Sequence, residues 1–120
     1  MYTYKAEVAR VIDGDTIDAN IDLGFDITIK KRIRLAGIDT PESRTRDLEE
    51  KKRGLASKDR LVELLDKGTL VVESQSVGKF GRVLGVLHVY PDDLGLPINV
   101  NNTLVKEGFA VEYWGGKKKK

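Results

Sequence analysis

Four short segments of the chain concentrate polar residues that a simple strand pattern does not need. They are Asp13-Gly14-Asp15-Thr16, Arg34 alone, Asp39-Thr40-Pro41-Glu42 and Gly78-Lys79-Phe80-Gly81-Arg82. Taken singly, each has an ordinary explanation, since an Asp-Gly pair is a common hairpin turn and a strand arginine is usually solvated. The proline holds Thr40 in an extended conformation, so Asp39 and Glu42 project from a defined corner. The acidic and arginine side chains of these segments are the candidates for chemistry.

The chain lacks most of the other side chains that enzymes use. It contains no cysteine, which excludes disulfides, thiolate nucleophiles and zinc sites built from cysteine. Its one histidine, His88, lies among apolar residues and is read as an ordinary strand residue. If the chain is an enzyme, carboxylates, arginines and a bound cation must therefore carry out its chemistry.

Length and composition bound the kind of protein that can form. A chain of 120 residues, 40% hydrophobic and 33% charged, predicts one soluble globular domain, which we place at residues 1–116. Residues 117–120 are all lysine and are expected to be a disordered basic tail. No apolar run approaches the roughly 20 residues of a membrane helix, and no secretory signal is visible. We expect a monomeric cytoplasmic protein that does not bind membranes, or a secreted one if a signal was removed before residue 1.

Positive charge is local, because the net charge of the chain is only +2. A basic cluster lies around the start of a predicted helix, at Arg44, Arg46, Lys51, Lys52 and Arg53. Such a cluster is either a solvated helix face or a surface for a polyanion, where neutralised phosphates release counterions. Charge alone does not distinguish these two readings.

Alternating hydrophobicity predicts three consecutive strands, over Ala6–Ile12, Thr16–Leu23 and Ile27–Leu35. Turn residues at Asp13-Gly14-Asp15 and at Gly24 separate these strands, which predicts a meander. The residues predicted to form the apolar faces of the second and third strands are Ile17, Ala19, Ile21, Leu23, Ile27, Ile29, Ile33 and Leu35.

A helix is predicted next, before the fourth strand. Asp47 followed by Glu50 resembles a capping box at its start, and Gly68 has the position of a C-cap glycine. Gly54 weakens helix formation by about 1 kcal/mol relative to alanine, so the first turns are also readable as a loop. The apolar face of this helix is predicted to consist of Leu48, Leu55, Leu61, Val62 and Leu65.

Two further strands and a short helix complete the predicted fold. The strands are expected over Thr69–Glu73 and Val83–Tyr90, and the helix over Val100–Glu107, ending at Gly108. Five strands with a helix between the third and fourth predict a mainly β, α+β fold, a closed barrel of the oligonucleotide/oligosaccharide-binding type (OB-fold). Such barrels include binding proteins and enzymes, so the fold alone predicts no function.

Together, these segments resemble one family, the staphylococcal nuclease (thermonuclease) family, in motif, order and spacing. The matching strings are Val11-Ile12-Asp13-Gly14-Asp15-Thr16, Arg34-Leu35-Ala36-Gly37-Ile38-Asp39-Thr40-Pro41-Glu42, Gly81-Arg82 and Leu104-Val105-Lys106-Glu107-Gly108-Phe109-Ala110. The resemblance runs from Ala6 to Ala110, nearly the whole predicted domain. It implies a calcium-dependent nuclease that hydrolyses phosphodiester bonds in DNA, RNA or both and leaves 3′-phosphate ends.

The resemblance also implies a calcium site. Its protein ligands would be Asp15, Asp39 and the backbone carbonyl of Thr40. Oxygen ligands suit this hard cation, and waters and substrate oxygens would complete its six to eight positions. Asp13 belongs to the same motif and is read as supporting the site from behind the ligands or as capping the turn.

Three catalytic residues are implied by the same resemblance. Arg34 and Arg82 would bind the phosphate, because planar guanidinium groups match its oxygens in a bidentate way that an ammonium group does not. Glu42 would either accept a proton from the attacking water or orient that water, and the sequence leaves both roles open.

The chain departs from the family pattern at the substrate-binding positions. Lys79, Phe80, Tyr113 and Trp114 are the candidates for contact with the nucleic acid. Gly78 and Phe80 stand where the family has an aspartate and a tyrosine, so a hydroxyl contact to a terminal phosphate is expected to be lost. Trp114 stands where the family has a base-stacking tyrosine, and it either stacks on a base or packs on the barrel. The resemblance also leads us to expect that this chain lacks the third helix of the secreted family member.

Two other functions compete with the enzyme. One is a catalytically silent OB-fold module that binds nucleic acid, and the other is a barrel that mediates protein contacts only. A silent module is expected to have lost catalytic or metal-binding residues, whereas this chain retains all five principal side chains. They are Asp15, Arg34, Asp39, Glu42 and Arg82. Their retention favours the nuclease.

Overall fold

A computed structural model describes residues 2–77, 83–92 and 95–113 of the chain. The strands are β1 (Tyr2–Asp13), β2 (Thr16–Asp22), β3 (Thr28–Leu35), β4 (Ile38–Asp39), β5 (Gly68–Val77), β6 (Val83–Pro91), β7 (Ile98–Asn99) and β8 (Val111–Glu112). The helices are α1 (Leu48–Leu65), between β4 and β5, and α2 (Val100–Lys106), between β7 and β8.

Five strands form a closed barrel. Their order is β3-β2-β1-β5-β6, and parallel pairing between β3 and β6 joins the two ends of the sheet. The other four contacts between neighbouring strands of the barrel are antiparallel. β7 pairs with β6, and β4 forms a separate two-stranded sheet with β8. The predicted OB-fold barrel with a helix between its third and fourth strands is therefore confirmed.

Tertiary pairing extends two of the predicted strands. β1 begins at Tyr2 instead of Ala6, because residues 2–6 pair with residues 70–74 of β5. β5 reaches Val77 instead of Glu73, because Ser76 and Val77 pair with Leu84 and Val83 of β6. The two-residue strands β4, β7 and β8 were not predicted, because segments this short carry no hydrophobic period. The short helix α2 begins at Val100 as predicted, and Gly108 follows it with a positive φ of 84°.

The predicted apolar face of the β2–β3 hairpin is correct only at the barrel end. Its buried members are Ile17, Ala19, Ile21, Ile33 and Leu35. Leu23, Ile27 and Ile29 are exposed, with 41%, 53% and 37% of the residue surface accessible to solvent, so this part of the prediction is wrong. Beyond the pair of Ala6 with Ile21, β2 pairs only with β3, so the hairpin leaves the barrel there.

Helix α1 differs from its prediction at both ends. It is helical from Leu48, so the loop reading of its first turns is wrong, and Gly54 lies inside it. It ends at Leu65 with Asp66 as the C-cap, so Gly68 is not the capping residue. Gly68 begins β5, where an added Cβ would lie 2.0 Å from the Tyr90 carbonyl oxygen. Close approach of two strands explains this glycine.

The buried face of α1 is also shifted from the predicted one. Its buried residues are Gly54, Ser57, Leu61, Leu64 and Leu65. Leu48, Leu55 and Val62 were predicted in the core but are exposed, at 79%, 42% and 39%. Small residues at 54 and 57 allow the helix to approach the segment that follows β4 and the β1–β2 turn. Backbone proximity, which hydrophobicity does not report, therefore decides the orientation of the helix.

Side chains from all five barrel strands and both helices form one core. Its largest fully buried members include Ile17, Ile33, Leu61, Leu64, Leu87 and Leu104. Across the ranges that the structure describes, neither helix has the length and apolar character to cross a membrane.

Candidate active site

Arg34 lies near the end of β3 and joins two of the predicted metal ligands. Its Nη1 is 3.3 Å from Asp15 Oδ2, and its Nη2 is 3.2 Å from Asp39 Oδ1. Nη1 also donates a hydrogen bond to the Leu35 carbonyl oxygen at 3.2 Å. Asp15 comes from the β1–β2 turn and lies beside β3, because Thr16 pairs with Arg34 and the Leu35 N–H donates to the Asp15 carbonyl oxygen. Asp39 comes from β4, which follows β3 directly.

Asp15 is a buried carboxylate with several partners. Its Oδ2 accepts a hydrogen bond from the Thr40 backbone N–H at 3.1 Å, and its Oδ1 accepts one from the Thr16 hydroxyl at 3.0 Å. Burial raises the pKa of Asp15, whereas the positive charge of Arg34 and the hydrogen bond from Thr40 oppose that rise. Burial outweighs these two effects, so the pKa of Asp15 stays above its ordinary value of 3.8.

The segment at Thr40 provides a further polar surface beside Asp15. Thr40 is 4% exposed, and among the described residues its hydroxyl oxygen has no hydrogen-bond partner. An added Cβ on Gly14 would lie 3.1 Å from that oxygen and 2.7 Å from Ser57 Cβ. Only a glycine therefore lets the β1–β2 turn pack this closely against Thr40 and α1.

The donor set suits a hard cation. Asp15, Asp39 and the Thr40 segment offer oxygen ligands alone, which Ca²⁺ prefers. In the parts of the chain that the structure describes, no group of three or more His, Cys, Asp or Glu side chains is placed to hold a metal. If Asp15 and Asp39 hold the ion, the protein contributes two carboxylates, and a site with so few protein ligands leaves positions for water and substrate oxygens.

Glu42 lies three residues beyond Asp39 in a segment that is held through its backbone. The Ser43 N–H donates to Asp13 Oδ1 at 3.2 Å, and the Ser43 hydroxyl donates to the same oxygen. The Glu42 N–H donates to Glu50 Oε2 at 3.1 Å. Asp13 therefore contacts the segment that carries Glu42, and the exposed Glu42 side chain extends from a fixed backbone.

A cleft of about 330 Å³ adjoins this cluster. Arg34, Ile38, Leu84 and Tyr113 are among the residues that line it. The Tyr113 N–H donates to the Gly37 carbonyl oxygen at 2.8 Å, just beyond the β4–β8 pair. This places Tyr113, predicted to contact substrate, beside Arg34.

Comparisons with known proteins agree with these features. The family model described as staphylococcal nuclease homologue matches residues 32–120. The chain belongs to this family. It is 35% identical over 113 residues to a micrococcal nuclease of Shigella flexneri, covering 92% of this chain and 59% of that protein.

Two other proteins are similar to this chain over nearly the same aligned length, at lower identity. Protein ParB of Escherichia coli is 32% identical over 112 residues, covering 91% of this chain and 57% of ParB. An uncharacterized protein of Bacillus anthracis is 31% identical over 112 residues, covering 91% of this chain and 47% of that protein. The chain therefore spans about half the length of the relatives that it matches.

Several predicted residues of the nuclease family site lie outside the described part of the chain. They are Arg82, Lys79, Phe80 and Trp114. Their assigned roles stay predictions, as does the basic tail at 117–120. Val83 pairs with Ile33 and Leu84 with Arg34, so β6 begins beside the end of β3 that carries the site.

Asn101 supports the site and was missed from the sequence. It is 3% exposed, and its Nδ2 donates to the carbonyl oxygens of Ala36 at 2.9 Å and Gly85 at 3.2 Å. Its Oδ1 accepts from the Leu87 N–H at 3.1 Å. It therefore holds the chain just after Arg34 against β6. One feature of the sequence could have indicated this role. Asn101 follows the apolar Val100 in a short helix that has few other residues suited to the core.

Proposed function

We propose that this chain is a calcium-dependent nuclease that hydrolyses phosphodiester bonds in DNA, RNA or both and leaves 3′-phosphate ends. The observation that carries the proposal is the position of Arg34, 3.3 Å from Asp15 and 3.2 Å from Asp39 at one edge of the barrel. One cluster thus combines a phosphate-binding guanidinium with the two carboxylates of the family's calcium site.

The charge of this cluster supports a requirement for a divalent cation. With both carboxylates ionised, Asp15 and Asp39 outweigh the single positive charge of Arg34. Such a cluster repels a phosphodiester until a cation is bound, and a divalent ion reverses the local sign. When bound, Ca²⁺ would neutralise phosphate charge and supply Lewis-acid polarisation of the phosphoryl oxygens.

Arg34 would act on the charge that gathers on the phosphate oxygens as water attacks. Its side chain is 19% exposed and is held by two carboxylates and a carbonyl, so its donors are preorganised before substrate arrives. Arg82 would provide the second guanidinium. Glu42 would accept a proton from the water or orient it, at the end of a backbone held by Asp13 and Glu50.

The cleft beside Arg34 supports binding of a nucleotide base next to the reacting phosphate. Tyr113, an aromatic residue, lines this cleft together with the apolar residues Ile38 and Leu84. Stacking on an aromatic side chain is worth about 1–3 kcal/mol per base and does not select a sequence. We therefore propose a substrate range set by backbone phosphates and single-stranded bases.

Nuclease assays with controlled cations test this proposal. Purified chain is incubated with plasmid, single-stranded DNA and RNA, in Ca²⁺ or in excess chelator. We expect cleavage in Ca²⁺ only, with 5′-hydroxyl product ends that polynucleotide kinase labels without prior phosphatase treatment. The variant Arg34→Ala, purified in parallel, controls for a contaminating nuclease.

Each part of the proposal has its own contrary outcome. Equal cleavage in chelator would overturn the metal assignment, and 5′-phosphate ends would overturn the assigned products. Salt-sensitive binding of nucleic acid with no cleavage in any divalent cation would instead support the catalytically silent module.

A further inference from the structure

Glu50 does not make the contact that its sequence position predicts. In a capping box, the glutamate three residues after the N-cap returns to the N-cap backbone N–H. Here Asp47 makes its half of the box, because its Oδ1 accepts from the N–H groups of Glu49 at 3.0 Å and Glu50 at 3.3 Å. The Asp47 N–H, however, donates to the Thr45 hydroxyl, and Glu50 Oε2 accepts from the Glu42 N–H at 3.1 Å.

A second contact between α1 and Glu42 lies one helical turn further along. An added Cβ on Gly54 would be 2.4 Å from the Glu42 carbonyl oxygen and 2.6 Å from the Ser43 nitrogen. Residues four apart lie on the same face of a helix. Glu50 and Gly54 therefore lie on one surface of α1. This surface contacts both the peptide N–H and the carbonyl group of Glu42.

The Glu42 backbone is thus held from two directions. Glu50 and Gly54 contact it from α1, and Asp13, at the end of β1, binds the N–H and the hydroxyl of Ser43. The Glu42 side chain itself is exposed. For an exposed carboxylate, a fixed backbone is the main restraint on where it stands relative to Asp39 and Arg34.

We infer that Glu50 is a positioning residue: its carboxylate binds the Glu42 peptide N–H and sets the Glu42 carboxylate at the reacting water. This inference rests on the proposed nuclease function. It explains why Glu50 does not bind the N-cap N–H of α1 and why a glycine, Gly54, occurs inside this helix. A displacement of about 1 Å at a reacting group can cost roughly 10²-fold in rate, so loss of this contact is large enough to measure.

The test compares variants of the whole chain at saturating Ca²⁺. We expect Glu50→Ala to lower kcat by about 10- to 100-fold with little change in KM or in Ca²⁺ affinity, because Glu42 is misplaced while the metal and phosphate ligands remain. Glu50→Gln keeps an acceptor oxygen and is expected to recover most of the rate. The matched control is Glu49→Ala, which removes an exposed acidic residue from the same helical turn.

Combining Glu50→Ala with Glu42→Ala distinguishes a role in positioning Glu42 from a general loss of stability. In a Glu42→Ala background, Glu50→Ala should add no further loss of kcat, and in the wild-type background it should shift the Glu42 amide proton resonance. Full activity of Glu50→Ala would overturn the inference while leaving the nuclease proposal intact. The same holds if Glu50→Ala lowers kcat by the same factor in the Glu42→Ala background as in the wild type. A wild-type chain without cleavage would overturn the nuclease proposal, and an unshifted Glu42 amide resonance would then overturn the contact itself.

Discussion

Arg32 and Arg34 lie on the same face of β3 and each pairs with an aspartate, yet their surroundings differ. Arg32 Nε is 2.9 Å from Asp18 Oδ1, and its Nη2 donates to Asp18 Oδ2 at 3.3 Å. One carboxylate there meets one guanidinium, and the Arg32 side chain is 49% exposed. Arg34 is 19% exposed and lies between two carboxylates from different segments.

This difference distinguishes an isolated ion pair from the candidate catalytic cluster. The Arg32–Asp18 pair is bidentate and its two charges cancel. We therefore do not expect it to bind another ion. The Arg34 cluster has an excess of negative charge, a buried carboxylate whose pKa is raised by burial, and a cleft beside it. Two arginines of one strand therefore make a controlled comparison between a surface pair and a candidate active site.

The largest expected effect comes from removing the two arginines separately. Arg34→Ala should lower kcat/KM for DNA cleavage by roughly 10²- to 10³-fold, as removal of one preorganised donor typically does. Arg32→Ala should cleave at nearly the wild-type rate. Steady-state kinetics at saturating Ca²⁺, with circular dichroism to confirm folding, makes the measurement. Equal losses in the two variants would erase the proposed distinction.

Removing one carboxylate from each pair gives a smaller effect. Asp39→Asn should raise the Ca²⁺ concentration for half-maximal cleavage by at least about 10-fold, comparable to the loss of a supporting group at other metal sites. Excess Ca²⁺ should restore part of the rate. Asp18→Asn should leave the calcium dependence unchanged. Calcium titration of the rate tests both variants, and an unchanged Asp39→Asn curve would remove Asp39 from the ligand set.

Asn101 tests whether the Arg34 end of β3 needs its own support. Asn101→Ala leaves the buried Leu87 N–H and the carbonyls of Ala36 and Gly85 without this partner, and we expect it to lower the free energy of unfolding by about 1–3 kcal/mol. The exposed neighbour variant Asn102→Ala is the control. Urea unfolding measures the difference, and wild-type stability of Asn101→Ala would mean that these hydrogen bonds contribute nothing net.

The comparison also shows what the sequence could and could not predict. Alternation on β2 correctly placed Ile17 and Ala19 in the core, because a half-buried strand has that period. The same alternation failed for Ile27 and Ile29, since the pattern continues along a hairpin after the barrel has ended. Asp18 alternates with Ile17 and Ala19, yet it is only 8% exposed and accepts a hydrogen bond from Arg32.

For the candidate site, the motif resemblance distinguished residues that local patterns treat alike. It grouped Asp15, Arg34 and Asp39, which the structure brings within hydrogen-bonding range, although Arg32 and Arg34 are equivalent by periodicity. The contact of Glu50 with Glu42 could not be predicted, since it depends on how the chain turns between Glu42 and α1. The contacts of Asn101 could not be predicted either, since they form only when α2 packs on the barrel. Long-range backbone contacts carry no local signal in a single sequence.

The smallest expected effect concerns the pH dependence of the Arg32–Asp18 pair. The hydrogen bond from Arg32 holds the pKa of Asp18 below its ordinary value of 3.8. A carboxyl group whose pKa is lowered by folding stabilises the protein fully above that ordinary value, and the contribution is lost as pH falls through the lowered pKa. Arg32→Ala should therefore unfold at a slightly lower urea concentration than wild type at pH 7.

That gap in urea midpoint should close as the pH is lowered below 3.8, because protonated Asp18 no longer distinguishes the two proteins. Exposure of the Arg32 side chain keeps the effect small, since solvent screens the pair. A gap that persists unchanged into acid would show that Arg32 stabilises the sheet through packing of its side chain over Asp18, and not through charge. In that case the contrast with Arg34 would lie in electrostatics at one position and in packing at the other.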